Sequence, residues 1–323
     1  MTSKNGSAFM AYKEFSYWQK LLFYIQNKDI WGGNSPARLI IWRRLIFAVH
    51  GIFKYKFMTR LLDYFGVNPL IFSITLKHPC IIEQTTRQWL YHKSTMEERF
   101  KILKQHFSLL QFHLSEAALR NIYFGEGIVL WSQPYQEEVL FLKLHYDRIY
   151  RKEGLMAISF NLGEKRFYSV SFWIAPDRKD KPALWIGCIQ GAQGEAQTIR
   201  GLTKAFFGYR PKNLMVFVIR VLARFLEIEQ LYAASNYGAY VNHRFYADRR
   251  LKTSFDEFWG EVGGQISDDA RFFELPCYEM RKSLQQVVTN KRNLYRKRFA
   301  VLDAIDMAIT KELEQNAAKF KIH

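Results

Sequence analysis

The sequence predicts an α+β protein in which a mixed, mostly antiparallel sheet is flanked by N-terminal and C-terminal helices. Three observations lead to this fold class. Segments with the period of β-strands follow one another between residues 128 and 189, with turn residues between them. A glycine-containing turn then opens a helical stretch that leads to one more short strand. Helix spacing dominates before residue 120 and after residue 278, which adds the flanking helices.

The composition indicates a packed, strongly basic protein. Hydrophobic residues make up 49% of the chain and aromatic residues 16%, which argues against disorder. Lys and Arg number 47 against 30 Asp and Glu, a formal charge of +17, which favours a phosphate-bearing ligand or an anionic membrane surface as partner. The first ten residues have no apolar secretion segment, and no apolar run is long enough to predict a transmembrane helix.

Residues 1–120 are predicted to form a mostly helical, basic region. Residues 1–12 read as a loose tail and Phe15–Ile25 as a helix. Ser35 followed by Pro36 predicts the start of a further helix, with the serine as its cap. Gly51 is expected to interrupt that helix.

The segment Ala37–Phe65 mixes apolar and basic residues, and it has two interpretations. Residues 1–70 contain ten basic residues and three acids, a net charge of +7. A basic, aromatic-rich amphipathic helix can lie on an anionic membrane face. A helix that covers a core and exposes its cations to water has the same pattern. The sequence leaves both open.

Two residues of types that often carry chemistry are interpreted as structural. His106 lies on the apolar face of a helix predicted over Glu97–Phe112, where a lone histidine is most often a core residue. Cys188 lies within a strand and is interpreted as core. The chain's three cysteines are scattered, with neither disulfide nor metal spacing, so a reducing compartment and no metal site are expected.

Five strands are predicted in succession from alternating polarity and from the turn residues between them. Strands in meander order form an antiparallel sheet. The five are Ile128–Ser132, Val139–His145, Leu155–Asn161, Arg166–Ile174 and Ala183–Ile189.

A crossover follows the fifth strand. Its glycine turn leads to a helix at Gln197–Phe207, which Gly208 and Pro211 separate from a second helix at Leu214–Leu226. The second helix is apolar on nearly every side and is predicted to be buried against the sheet. A sixth strand at Gln230–Ala234 completes a right-handed crossover.

The domain organisation predicted from these patterns is an α/β core at residues 121–278 with a basic helical extension at residues 279–323 packed on it. A helix is expected over Tyr278–Ala317. Residues 281–323 contain ten basic residues and four acids, a net charge of +6. Such a helix can bind phosphates or can simply be solvated. Nucleic acid is disfavoured as a partner because aromatic stacking platforms are few.

Short motifs occur in a specific order along much of the chain. They are Ile186-Gly-Cys-Ile-Gln-Gly191, Gly208-Tyr-Arg-Pro-Lys-Asn-Leu214, Ala233-Ala-Ser-Asn236, Phe255-Asp-Glu-Phe-Trp259, Phe273-Glu-Leu-Pro276 and Lys291-Arg-Asn-Leu-Tyr-Arg296. In this order the chain resembles the VirK/YbjX family of Gram-negative bacterial proteins over roughly residues 75–305. The resemblance implies a role in virulence, in cell-envelope homeostasis and in resistance to cationic antimicrobial peptides.

The order of elements in the core is also similar to that of the N-acetyltransferase-like fold. That resemblance implies an acyl thioester donor, acyl-coenzyme A or acyl carrier protein, whose phosphates would lie on the amide groups of the glycine turn. The turn departs from the fold's pattern, because Gly191 stands where Arg or Gln is expected and Glu195 adds a negative charge. The crossover also has two helices instead of one. The residues that would bind the donor are Gln190, Gly191, Gln193, Gly194, Ala196 and Gln197.

The candidate catalytic residues follow the sixth strand. Ser235 and Asn236 could position an acyl acceptor or cap the next helix. His243 and Tyr246 are three residues apart, on one face of a predicted helix. Either could protonate a leaving thiolate, and His243 could act as a base at neutral pH. The alternative is an aromatic pair at the surface.

The sequence therefore leaves two functions open. One is an acyltransferase that moves an acyl group from a thioester donor to an envelope-related acceptor. The other is a non-catalytic regulator that docks on anionic lipid through Ala37–Phe65 and Tyr295–Arg298. The predicted location is the cytoplasm, with the periphery of the inner membrane left open for either function.

Overall fold

A computed structural model of the protein describes residues 2–27, 37–242 and 254–318. The chain divides into two compact units. Unit 1 comprises Met1–Trp89 and Thr95–Phe100, and unit 2 comprises Leu90–Ser94 and Lys101–His323. The three-part division at residues 120 and 278 stays a prediction.

Unit 1 is helical in the part that the structure describes. Capping residues fix two of the starts: Ser16 accepts a hydrogen bond from Gln19 N at 3.4 Å, and Asn68 Oδ1 accepts one from Leu70 N at 2.9 Å. The helices are α1 (Thr2–Glu14), α2 (Tyr17–Gln26), α3 (Ala37–Phe53), α4 (Tyr55–Phe65), α5 (Pro69–Lys77), α6 (Cys80–Thr85) and the first residues of α7 (Met96–His113).

Aromatic side chains fill the interior of unit 1. The ring of Tyr12 lies 5.0 Å from that of Phe72 and 5.5 Å from that of Phe23. Its hydroxyl donates a hydrogen bond to Leu62 O at 2.8 Å, so the buried polar atom has a partner. This core ties α1 and α2 to α4 and α5.

Two predictions for unit 1 are wrong. Residues 2–14 form helix α1 instead of a loose tail, because Phe9 and Tyr12 give that segment a buried face. Gly51 does not interrupt α3, which continues to Phe53. A methyl group at Gly51 would lie 2.5 Å from a Leu21 methyl, so the glycine allows α2 and α3 to approach closely. The predicted cap Ser35 lies outside the described residues.

Unit 2 is built on one sheet of eight strands within the described residues, in the order β1-β2-β3-β4-β5-β6-β8-β7. The parallel pair β5–β6 is the exception in an otherwise antiparallel sheet, which confirms the predicted fold class. The strands are β1 (Ile128–Tyr135), β2 (Glu138–His145), β3 (Met156–Leu162), β4 (Lys165–Pro176), β5 (Pro182–Gly191), β6 (Gln230–Ala234), β7 (Gln265–Ile266) and β8 (Phe272–Leu275).

The crossover between β5 and β6 contains two helices, as predicted. They are α9 (Ala196–Ala205) and α10 (Pro211–Phe225), and α8 (Glu116–Phe124) precedes the sheet. Helix α10 packs on β3, β4 and β5 and also contacts α12 (Arg292–Gln315). Its sides are therefore covered by the sheet and by a helix, which explains why it is apolar nearly all round.

The C-terminal part of unit 2 differs from the prediction in two ways. Helix α12 begins at Arg292 and not near Tyr278. Its buried residues recur three or four positions apart at Leu302, Ile305, Ile309 and Leu313, whereas residues 278–288 lack that spacing. Strands β7 and β8, with helix α11 (Phe255–Glu261) before them, were not predicted, because two and four residues are too few to show a period.

His106 confirms the interpretation of a core histidine. Its Nδ1 accepts a hydrogen bond from Ile174 N at 3.1 Å, and its Nε2 lies 3.0 Å from the hydroxyl of Tyr123. The ring is fully buried, and this burial lowers the pKa of His106 to about 3. The ring is therefore neutral and holds α7 and α8 to β4.

Candidate functional site

The end of the parallel pair β5–β6 is the place in unit 2 where the sheet opens. β6 pairs with β5 only from Ala183 to Ile186, while β5 continues to Gly191. In open sheets, ligands bind outside the carboxyl ends of parallel strands where the chain changes direction. Gly187 lies at this point, in a bulge of β5 between the pairs Phe172–Ile186 and Ser171–Cys188.

The predicted donor-binding residues form an exposed turn after β5. Gln190 and Gly191 still pair with β4, opposite Ser169 and Tyr168. Gly194 has a φ of +80° and open space around it, which suits glycine. Gln193, Gly194, Ala196 and Gln197 are exposed, and α9 begins at Ala196. The predicted donor-binding residues therefore all lie at or just before the N-terminus of α9.

The first turn of α9 has no side-chain cap, and the charge of Glu195 is compensated. Glu195 occupies the cap position without a side-chain hydrogen bond to the helix amides. Its carboxylate lies 2.6 Å from Lys165 Nζ, and this contact lowers the pKa of Glu195. Backbone amides without side-chain caps at a helix start can hold an anion.

Ser235 and Asn236 make structural hydrogen bonds at the end of β6. Ser235 Oγ donates to Ala270 O at 2.8 Å and accepts from Gly238 N at 2.9 Å. Asn236 Oδ1 accepts from Phe255 N, the first residue of α11, at 2.7 Å. These contacts favour the capping alternative for both residues, and their catalytic role stays a prediction. His243 and Tyr246 lie outside the described residues.

A loop that the sequence did not single out lies across the β5 bulge. This loop comprises residues 146–155. A methyl group at Gly187 would lie 1.8 Å from Glu153 O, so the backbone of Glu153 touches the bulge directly. Leu155 N donates to Phe172 O at 2.9 Å and fixes the loop to β4. The sequence Lys152-Glu-Gly154 was read only as a turn. A glycine within the strand pattern of β5 is the signal that could have indicated the bulge.

The loop carries two acids in different surroundings. Asp147 is buried and accepts hydrogen bonds from Arg166 Nη1 at 2.5 Å and from Ser169 Oγ at 3.2 Å. Burial raises the pKa of Glu153 to about 7, and the nearby Asp147 adds to this shift. Asp147 is thus a paired, structural carboxylate, whereas burial favours the neutral form of the Glu153 carboxyl.

Cys188 is a core residue in β5, as interpreted from the sequence. Its side chain is buried, and burial raises the pKa of its thiol well above the ordinary value. A thiol that stays protonated is a poor nucleophile. The chemistry of this site therefore does not use Cys188 as a thiolate.

Unit 1 carries a second candidate surface, which we call the α3 apolar face. This face is the side of α3 that points away from the two buried residues Phe47 and Gly51. At 100° per residue the exposed apolar residues occupy one continuous side of the helix. They are Leu39, Ile41, Trp42, Leu45, Ile46, Val49, Ile52 and Phe53.

Basic and aromatic residues border this face at the end of α3. Lys54 and Lys56 are exposed, and Tyr55 between them is 48% exposed. The ring of Tyr17 lies 4.4 Å from that of Tyr55 and 5.0 Å from that of Trp18, which is itself exposed. Among the residues that the structure describes, no helix is both long and apolar enough to cross a bilayer.

The fold and the opening of β5–β6 define an α+β protein with a parallel crossover in an antiparallel sheet. The chain belongs to the family described as protein of unknown function DUF535, which matches residues 38–311. The protein YbjX of Escherichia coli (strain K12) is 26% identical over 273 residues, which cover 82% of each chain. The predicted membership of the VirK/YbjX family is thereby confirmed.

Two matches to uncharacterized proteins of Haemophilus influenzae (strain Rd) support the same grouping. One is 27% identical over 216 residues, which cover 66% of this chain and 70% of the relative. The other is 34% identical over 134 residues, which cover 41% of this chain and 44% of the relative.

Proposed function

We propose that unit 2 transfers an acyl group from a thioester donor, acyl-coenzyme A or acyl carrier protein, to an acceptor of the cell envelope. The observation that carries the proposal is the parallel pair β5–β6, which separates beyond Ile186 beside an exposed glycine turn. An antiparallel meander, a glycine turn opening a helix and a short parallel strand are the parts shared with the N-acetyltransferase-like fold. Function by analogy of fold needs support from the site itself.

The site supports this proposal at both ends of the donor. At the phosphate end, Gln193, Gly194, Ala196 and Gln197 of the turn are exposed, and Lys165 offsets the charge of Glu195. At the thioester end, the bulge at Gly187 leaves backbone groups of β5 outside the β4–β5 ladder. The proposal assigns the polarisation of the thioester carbonyl to a backbone amide of β5, in the manner of an oxyanion hole.

Titration calorimetry of the full chain tests donor binding directly. The probes are acetyl-, octanoyl- and palmitoyl-coenzyme A and octanoylated acyl carrier protein. Lys165→Glu should weaken binding about tenfold, because it turns the compensated turn into an anionic one. The matched control is Lys179→Glu, an exposed lysine in the turn at the other end of β4. An absence of heat with every probe would reject the enzyme proposal.

A second candidate function is docking on an anionic membrane surface, and the α3 apolar face favours it. Eight large apolar side chains exposed along one helix exceed what a water-facing helix usually carries. Lys54 and Lys56 at the border would meet anionic headgroups, each worth about 1 kcal/mol near such a surface. The basic segment Tyr295–Arg298 is less suited, because Arg298 already donates to Phe207 O at 3.0 Å.

Vesicle flotation tests this candidate. The wild type should float with vesicles that contain phosphatidylglycerol at low salt and lose binding as salt rises. Ile52→Asp should abolish flotation, because it places a charge within the apolar face. The matched control is Ile266→Asp, since the two isoleucines are 59% and 58% exposed but lie in different units. Equal flotation of both variants would overturn the assignment of this face.

A further inference from the structure

A cavity of unit 2 lies near the first residues of β5 and β6, at the other end of β5 from the glycine turn. Its volume is about 210 Å³. One wall comes from the β4–β5 turn at residues 177–181, and the other comes from residues 266–269 at the end of β7. Arg178 and Asp269 join the two walls by an ion pair of 2.9 Å. An engineered cavity of about 150 Å³ holds benzene, so this one has room for a single six-membered ring with substituents.

Aromatic rings form the floor of this cavity. Trp185 of β5 and Tyr232 of β6 are paired across the sheet, and their rings are stacked with centroids 4.3 Å apart. Phe272 meets the Trp185 ring edge-on at 4.7 Å. The next residue in the row is Glu274 of β8, which pairs with Tyr232. Trp185 therefore covers one face of the Tyr232 ring, and the other face is turned toward Glu274 on the cavity side.

The hydroxyl of Tyr232 lies among carboxylates. Its oxygen is 3.5 Å from Asp177 Oδ2 in the β4–β5 turn. Burial raises the pKa of Tyr232 to about 12, and the negative charges of Glu274, Asp177 and Asp268 add to the shift. The phenol therefore stays protonated at neutral pH, so a polar hydroxyl and an apolar ring face are presented at the same place.

Charged groups of both signs surround the rings. Four acids and three bases line the cavity, a local net charge of −1 in a chain of net charge +17. Some of them are committed: Asp177 Oδ1 accepts from two backbone amides of its own turn, and Asp269 pairs with Arg178. The side chains that make no hydrogen bond or ion pair within the part of the chain that the structure describes are Lys179, Lys181, Gln230, Asp268 and Glu274.

Uncommitted donors and acceptors together suit a ligand that carries hydroxyl groups. A hydroxyl both donates and accepts, whereas an ammonium group only donates and a carboxylate only accepts. A cationic ligand would meet Lys179 and Lys181, and an anionic one would meet Asp268 and Glu274, so the surroundings oppose a ligand of either charge. The apolar side of a sugar ring matches the uncovered face of Tyr232, because burying C–H groups against an aromatic ring removes both from water.

We propose that this cavity binds one neutral saccharide ring. The C–H side of the ring lies on the face of Tyr232, its hydroxyls donate to Asp268 and Glu274, and they accept from the lysines of the β4–β5 turn. Small-molecule sites commonly combine an apolar, aromatic lining with a few polar groups that fix the ligand's orientation. The inference is independent of the proposed acyl transfer, because it concerns the other end of β5 and none of the residues of the glycine turn.

Saturation-transfer NMR on the full chain tests this inference. The probes are D-glucose, D-galactose, D-mannose and N-acetyl-D-glucosamine. At least one of them should receive saturation, mostly at the C–H protons on one side of its ring, with a dissociation constant on the order of 1 mM. Asp268→Ala should weaken binding about tenfold, because it removes a charged hydrogen-bond acceptor. The matched control is Glu164→Ala, which removes an exposed acid of the β3–β4 turn outside the cavity and should bind as the wild type does.

Two further measurements sharpen the test. Tyr232→Leu removes the ring face and should abolish the transfer, while the exposed Asp268 gives a variant whose fold is not at risk. Choline serves as a cationic probe, since a cation would also be attracted to an aromatic ring among acids. Saturation of none of the four sugars would overturn the inference, and so would equal sugar binding by Asp268→Ala and the wild type. Binding of choline without any sugar would replace the saccharide by a cation. Donor binding at the glycine turn is measured separately by calorimetry and is unaffected by each of these results.

Discussion

Helices α3 and α10 are similar in length and in their share of apolar residues, but α10 is buried and one side of α3 is exposed. They are 17 and 15 residues long, and both are apolar on nearly all sides with two or more arginines. In α10 every residue from Leu214 to Ala223 is buried, because the sheet covers one side and α12 another. In α3, eight large apolar residues are exposed. An apolar pattern therefore predicts that a helix needs a covering surface, but not that its own chain supplies one.

Each of the two helices also has an arginine that hydrogen-bonds within the protein. Arg220 of α10 is 3% exposed and donates to two backbone carbonyls, Val262 O at 2.8 Å and Pro276 O at 2.9 Å. Arg43 of α3 donates from Nε to Glu83 at 2.8 Å, on the buried side of its helix. Both arginines are thus structural, and neither supplies charge to the α3 apolar face.

The largest expected effect comes from a matched pair of isoleucines. Ile219→Ala in α10 should lower the free energy of unfolding by about 3 kcal/mol, because a fully buried side chain leaves a cavity. Ile52→Ala in α3 should change it by less than about 0.5 kcal/mol, because that side chain is 59% exposed. Urea unfolding followed by circular dichroism measures both. Comparable losses in the two variants would mean that α3 is covered in solution.

The second prediction concerns Arg220. Arg220→Met keeps the length and the apolar stem of the side chain but removes the donors to Val262 O and Pro276 O. Two carbonyls left without their donors should cost about 2 kcal/mol in total. The same unfolding measurement applies, with Arg224→Met as control, because Arg224 is more exposed and pairs with Asp306 at the surface. If Arg220→Met lowered the free energy of unfolding by less than Arg224→Met, water would be replacing Arg220 as the donor to Val262 O and Pro276 O.

Much of unit 2 could be predicted because its strands have clear periods and its turns have clear residues. The five meander strands, the two crossover helices and β6 lie within a few residues of their predicted positions. Strands β7 and β8 could not be found in this way, because long-range pairing with β6 defines them and local alternation does not. Helix α1 was missed because its buried face depends on Phe72, far along the chain.

The site was predictable only in part for a related reason. The glycine turn could be found, because glycines before a helical pattern indicate a tight turn and free amides. Glu153 could not, because its position depends on how the β2–β3 loop crosses a bulge two strands away. Ser235 and Asn236 were correctly placed at the end of β6. Their hydrogen-bond partners could not be predicted, because Ala270 O, which binds Ser235, and Phe255 N, which binds Asn236, lie much later in the chain.

The third prediction contrasts a buried histidine in unit 2, His106, with a half-buried one in unit 1, His50. Burial holds the pKa of His106 at about 3 against an ordinary value of 6.5. Between these values the unfolded chain binds a proton that the folded chain does not, so stability is lost as the pH falls from 6.5 toward 3. The slope from this one group is up to about 1.4 kcal/mol per pH unit. Below pH 3 both states are protonated, and the contribution ends.

Urea unfolding of the wild type and of His106→Gln between pH 4 and 7 measures that slope. The variant should be less stable at pH 7 and should show a smaller dependence on pH. His50→Gln is the matched control on α3, where burial lowers the pKa of His50 but the side chain keeps some exposure. If the free energy of unfolding of His106→Gln depended on pH as steeply as that of the wild type, groups other than His106 would cause the dependence.

The fourth prediction concerns Phe53→Ser in α3, which should have the smallest effect on stability in water and a large effect on binding to vesicles. Phe53 is 78% exposed, so Phe53→Ser should change the free energy of unfolding by less than about 0.5 kcal/mol. If the α3 apolar face binds lipid, anionic vesicles at 100 times the dissociation constant should stabilise the wild type by about 2.7 kcal/mol. Removing the phenylalanine should reduce affinity more than tenfold, because burying such a side chain is worth about 2 kcal/mol.

Thermal unfolding with and without vesicles shows the difference as a shift in Tm that the variant largely loses. Met307→Ser is the control, since Met307 is 74% exposed on α12 in unit 2. An equal vesicle-induced shift in Phe53→Ser and the wild type would contradict docking through α3. The exposed face would then need a protein partner to cover it, as the sheet and α12 cover α10.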